Sequence, residues 1–198
     1  MAFLEQLCGD LVKDKSYYIE RIDNLNNSTA QFELYVPKSY QIQKDRAQFV
    51  NLMKPLKWSS DIFTTENSTF EELRNTGQLG IFRNDSIKDA FLSLYKEQER
   101  VNKHISQLND LSRVEFYKFS PFLVKYTLLD NIFNQSYMFH EIEWEFINDP
   151  TSARFRLIES TVATYIFKHR IFKRHFENLL LQTRSLMKLV DEEVRERR

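Results

Sequence analysis

Apolar residues recur along this chain at helical intervals far more often than at strand intervals. Leu4, Leu7, Leu11, Tyr18, Ile22 and Leu25 step by three, four or seven, with charged Asp10, Lys13 and Glu20 between them, which predicts an amphipathic helix from the first residues. Beyond Leu25 two readings stand. Phe32 and Tyr35 continue the helical stripe, whereas Phe32, Leu34 and Val36 alternate like a strand, and Pro37 ends either element. Ser39 can cap a second helix carrying Phe49, Val50 and Met53, which Pro55 stops before a polar loop from Trp58 to Asn67. Ser68 with Glu71 forms a capping box that opens a short helix holding Phe70 and Leu73, and Gly77 closes it by admitting a left-handed backbone.

Asn84 or Asp85 caps a long helix with Ile87, Phe91, Leu94, Val101, Ile105 and Leu108 at heptad-like spacing, predicted to reach Lys118 before Ser120-Pro121. Phe122 to Phe133 predicts another short helix. Glu141, Glu143 and Glu145 then alternate with Ile142, Trp144 and Phe146, the pattern of a strand. After Asp149-Pro150-Thr151-Ser152, the residues Phe155, Ile158, Val162, Tyr165, His169, Phe172, Phe176, Leu179, Leu186 and Val190 keep a near-continuous seven-residue rhythm. One long terminal helix results, with Asp191 paired to Arg195 and Glu193 to Arg197 at its tip. The prediction is a single all-α domain over residues 1–198: a helical bundle with long antiparallel helices, coiled-coil-like stripes and one short β element.

Composition narrows this further. With 42% hydrophobic residues and 17 Phe there is apolar surface enough for a sizeable core, and only 3 Gly and 4 Pro argue against a sandwich or a glycine-rich nucleotide fold. The 28 basic residues are balanced by 28 acidic ones, so no global field draws the chain to nucleic acid. Cys8 alone excludes an intramolecular disulfide and a multi-cysteine zinc site, and leaves the redox compartment open. No apolar run reaches the roughly 18 to 20 residues of a membrane span, and Met1 to Glu5 lacks a signal-peptide pattern.

Candidate chemistry is sparse. His104, His140, His169 and His175 include no i, i+4 pair of the zinc-helix kind, and His140-Glu141 is only the first half of such a motif. A metal-dependent hydrolase using His140 with Glu141 or Glu145 is therefore an alternative reading; Glu141, Glu143 and Glu145 otherwise sit solvated along one side of an extended segment. Lys168, Arg170, Lys173 and Arg174, interleaved with Phe167, Phe172 and Phe176, form the one basic cluster that can be read as a surface for an anionic partner or ligand. An ordinary solvated face is the simpler reading, because Phe172 and Phe176 fall on the core stripe. The helix from Ser68 and the helix from Asp85 make a poor DNA reader, since Glu71 and Glu72 lie where phosphates would approach. No catalytic, cofactor or metal set is assigned, and no cofactor is expected.

The stretch Phe70-Glu71-Glu72-Leu73-Arg74-Asn75-Thr76-Gly77-Gln78-Leu79, continuing through Asn84, Asp85, Ile87 and Lys88 to Phe91, Leu94 and Tyr95, resembles a family of uncharacterised bacterial proteins. Members pair an N-terminal membrane helix with a helical extracytoplasmic domain, and Phe3 to Asp14 resembles the segment that follows their membrane helix. The likeness covers roughly the first 130 residues and lapses over the aromatic-rich second half. It implies a bacterial, membrane-anchored, extracytoplasmic protein of no known activity; without it the expected location is cytoplasmic. The leading expectation is thus a non-enzymatic interaction or scaffold domain, with a protein partner or self-association through long helices, and with the membrane contacted through an anchor upstream of this chain.

Overall fold

A computed structural model describes residues 2–42, 46–59, 62–65, 68–76, 82, 84–124 and 141–196. Five α-helices appear among them: α1 (Ala2–Ser39), α2 (Arg46–Met53), α3 (Ser68–Thr76), α4 (Asp85–Val124) and α5 (Ala153–Glu196). A 3-10 helix (Glu141–Asn148) precedes α5. The chain is an all-α bundle of long helices, with no strand among the described residues.

The chain forms two compact units. Unit 1 comprises Met1–Leu25, Ile62–Ser106 and Ile171–Arg198; unit 2 comprises Asn26–Asp61 and Gln107–Arg170. Each therefore takes a segment of α1, α4 and α5. In unit 1 the predicted stripes are buried: Leu4, Leu7, Leu11 and Tyr18 from α1, Ile87, Phe91, Leu94, Val101 and Ile105 from α4, and Phe172, Phe176, Leu179, Leu186 and Val190 from α5. Phe70 of α3 stacks on Tyr95 with ring centroids 4.3 Å apart. Each such side chain, once covered, contributes on the order of 1.5 to 3 kcal/mol, which exceeds the differences in helix propensity among ordinary residues. Leu108, at the end of the predicted α4 stripe, is only half-buried.

Unit 2 packs Phe32, Tyr35, Ile42, Phe49, Met53 and Leu56 against Phe146, Ile147, Phe155, Ile158, Val162 and Tyr165. Tyr165 stacks on Phe32 at 5.5 Å and donates its hydroxyl to the carbonyl of Trp58 at 2.8 Å, which ties the chain after α2 to α5.

Helix ends follow local chemistry. The Asn84 Oδ1 accepts the Ser86 N–H at 2.9 Å, and the Ser152 Oγ accepts the Phe155 N–H at 3.3 Å, so both residues satisfy amide donors that the first turn leaves free. Asp149 accepts the N–H and hydroxyl of Thr151 and turns the chain into α5.

Several sequence expectations are corrected. The strand pattern at 32–36 belongs to α1, which runs two residues past Pro37, and the Ser39 hydroxyl bonds the Val36 carbonyl at 2.7 Å. The short β element at 141–146 is the 3-10 helix: Phe146 and Ile147 are both buried, and consecutive burial is what strand alternation forbids on a one-sided sheet. α4 continues past Pro121 to Val124, and the rest of the predicted helix to Phe133 lies outside the described residues, as does the Gly77 turn. The membrane-anchored, extracytoplasmic expectation, with the bilayer as a partner, is corrected too. Among the described residues no helix is long and apolar enough to cross a membrane, because charged positions recur throughout α1, α4 and α5.

Candidate functional site

Helical geometry disperses the basic cluster of α5. At about 100° per residue, Arg170, Lys173 and Arg174 share one side, while Lys168 points the opposite way, beside Tyr165 and Phe172. Lys168 is accordingly 1% exposed, with its Nζ 4.2 Å from the Tyr165 ring centroid in a cation–π contact. Arg170 bridges Glu33 of α1 at 2.6 Å, and Lys173 lies 3.8 Å from Glu177. Lys168 and Arg170 belong to unit 2, Lys173 and Arg174 to unit 1.

His140 lies outside the described residues, and of Glu141 and Glu143 only the backbone is described. Among the described residues no group of three or more His, Cys, Asp or Glu side chains can hold a metal ion, which removes the support for the metal-dependent hydrolase reading. The structure does join two histidines of unit 1 that are remote in sequence: His104 Nδ1 of α4 lies 2.8 Å from His175 Nε2 of α5. Burial, His104 and Arg100 together push the His175 imidazole below its ordinary value, against the opposing pull of Glu97. His169, in unit 2, packs edge-on to Phe32 at 5.5 Å.

A buried polar network also holds unit 1 together. Gln98 of α4 donates from Nε2 to Asp14 Oδ2 and to the Tyr18 hydroxyl, both at 2.8 Å, and the Thr69 hydroxyl of α3 bonds Asp10. Burial and the Asp14 carboxylate push the Tyr18 and Tyr95 phenols well up, so both stay protonated across the physiological range. The sequence pattern sets Asp10 among the charged positions between the apolar residues and does not single out Asp14; their i, i+4 spacing is the available signal.

A concavity lined mostly by charged side chains belongs to unit 1. It encloses about 320 Å³ and is lined by Lys15 of α1 and by Arg184, Met187, Lys188, Asp191, Glu192 and Arg195 of α5. The α5 positions repeat at intervals of three and four, so one helix face presents them all. Four cations face two carboxylates, and Glu192 lies 3.9 Å from Lys188. Lys15, Arg184 and Arg195 make no ion pair among the described residues. The predicted Asp191–Arg195 bridge is thus replaced: Asp191 instead accepts a long contact from the Cys8 thiol at 3.9 Å. Burial, followed by that carboxylate, pushes the thiol upward and disfavours a reactive thiolate.

No protein-family model, curated protein or solved structure matches the chain. The resemblance to a membrane-anchored bacterial family is corrected by this and by the charged character of every long helix. The apolar stripes that motivated an interaction or scaffold role lie inside the two units.

Proposed function

We propose that the chain is a non-catalytic binding module that takes a small multivalent anion, carrying phosphate or carboxylate groups, into the cleft between α1 and α5 of unit 1. The observation that carries this reading is the set of three cations, Lys15, Arg184 and Arg195, that line one concavity without an ion-pair partner among the described residues. Its volume of about 320 Å³ suits a small ligand. Two guanidinium groups offer forked donors matched to oxyanions, and Lys15, half-buried, adds a point charge on the opposite wall. The mixed lining also accounts for selectivity: Asp191 and Glu192 oppose a monovalent anion that cannot engage several cations together.

Calorimetric titration of the full chain with pyrophosphate, citrate and inorganic phosphate at low ionic strength tests the reading. Binding of pyrophosphate or citrate is expected, weakening as salt shortens the Debye length from about 30 Å at 0.01 M to about 8 Å at 0.15 M. Replacing Arg184→Glu together with Arg195→Glu, both exposed positions, should weaken binding by at least about tenfold, equivalent to about 1.4 kcal/mol. Failure of all three anions to bind the unaltered chain, or the same affinity in the double variant, overturns the proposal.

A further inference from the structure

His104 of α4 and His175 of α5 face each other directly in unit 1, with nitrogens 2.8 Å apart and ring planes at 70°. At that separation one ring nitrogen must donate its hydrogen to the lone pair of the other. Two neutral rings satisfy this, and so does one neutral ring with one imidazolium. Two imidazolium rings do not, because both facing nitrogens would then carry hydrogens. We propose that His104 and His175 form a proton-operated latch, closing α4 onto α5 in unit 1 near neutral pH and opening when both rings are charged.

The surrounding charges set the direction. On α4, Glu97 and Arg100 flank the pair; on α5, Arg174 does; from α1, the Arg21 guanidinium lies over the adjacent Phe176 ring at 5.9 Å. Glu97, whose carboxylate acts on His175, is already held by two guanidinium nitrogens of Arg100, at 2.7 and 2.6 Å. A second proton on the pair therefore meets repulsion from His104, Arg100 and Arg174 with its counter-charge engaged elsewhere. His175 is also enclosed, at 8% exposed, so water offers its charged form little compensation. Metal capture is the weaker use of the same nitrogens, since no third His, Cys, Asp or Glu converges with them among the described residues.

Linkage gives the sign. The folded His175 binds its proton less readily than an ordinary imidazole at 6.5, so the unfolded chain takes up more protons as pH falls through that value. Stability is retained above it and lost below it, down to the lowered folded value.

Proton NMR titration of the full chain, with His104→Gln as the variant because His104 is the more exposed ring, tests this. The His175 midpoint should lie below that of a free imidazole and move upward in the variant. Melting temperatures measured from pH 7.5 to pH 5.5 should fall more steeply in the parent than in the variant. A His175 midpoint at the free-imidazole position, unmoved by the substitution, overturns the latch, as do parallel losses of melting temperature. Should the variant fail to fold, the midpoint in the parent chain decides by itself. None of these readouts involves the anion cleft.

Discussion

Replacing Phe176 by alanine removes a fully buried ring from the interior of unit 1. Tyr17 packs against it at 5.9 Å, Tyr18 at 6.0 Å, Phe63 at 5.9 Å, and the Arg21 guanidinium lies over its face. The loss of a buried Phe typically costs about 3 to 5 kcal/mol, the larger values applying where neighbours cannot collapse into the space. Here two of the neighbours are tethered. The Tyr17 hydroxyl donates to the Ile62 carbonyl at 2.9 Å and accepts the Thr64 N–H at 3.2 Å, and the Tyr18 hydroxyl is held by Gln98 at 2.8 Å. Relaxation is restricted, so the expected cost is about 4 to 5 kcal/mol. Leu108→Ala provides the control: its side chain is half-buried, and the expected loss is only about 1 to 2 kcal/mol. Urea unfolding followed by circular dichroism at about 222 nm separates the two, since a slope of about 2 kcal/mol per molar converts them into midpoint shifts of about 2 M and under about 1 M. Equal shifts, or a larger shift for Leu108→Ala, would refute the placement of Phe176 at the centre of unit 1.

The other predictions concern polar groups. Gln98→Leu keeps the side-chain bulk but withdraws the amide from Asp14 and Tyr18, leaving two buried oxygens short of a donor; a cost of about 1 to 3 kcal/mol should lower the melting temperature by several degrees, and an unchanged melt would contradict the network. The Thr151 hydroxyl and N–H hold the Asp149 carboxyl below its ordinary 3.8, so this turn is favoured at neutral pH and its contribution is lost as pH falls through the lowered value. Thr151→Val should move the Asp149 carboxyl titration, read by NMR, up toward 3.8, and no movement would dissociate the turn from that hydrogen bond.

Much of the helical interior was legible because burial obeys a period that sequence displays directly. Phe155, Ile158, Val162, Tyr165, His169, Phe172, Phe176, Leu179, Leu186 and Val190 were placed inward by spacing alone, and all are buried. The same arithmetic would have corrected Lys168. It stands three residues after Tyr165 and four before Phe172, on the inward side, and grouping it with Arg170 and Arg174 by adjacency ignored that position. The 3-10 helix was illegible for a different reason: over eight residues, alternation and a three-residue period place overlapping sets on one face, so a short run cannot distinguish them. The His104–His175 contact spans 71 residues and leaves no local trace, because a pair made by two helices depends on which faces meet.

Charge shows why whole-chain quantities mislead about sites. A formal sum of zero excludes a long-range field, and on that ground the sequence argues against nucleic acid as a partner. A small ligand, however, responds to charges within roughly a Debye length, about 8 to 10 Å at moderate salt, and not to the sum over 198 residues. Within the cleft, Lys188 lies 3.9 Å from Glu192, at i+4, whereas Arg184 and Arg195 make no ion pair among the described residues. Neutrality of the chain and an electropositive cleft are therefore compatible, because ion pairs such as Arg100–Glu97 and Arg170–Glu33 cancel locally where they stand. What a ligand meets is the remainder that pairing leaves in one concavity, and that remainder is fixed by helix register, which decides which charged residues find a partner and which are turned toward open space.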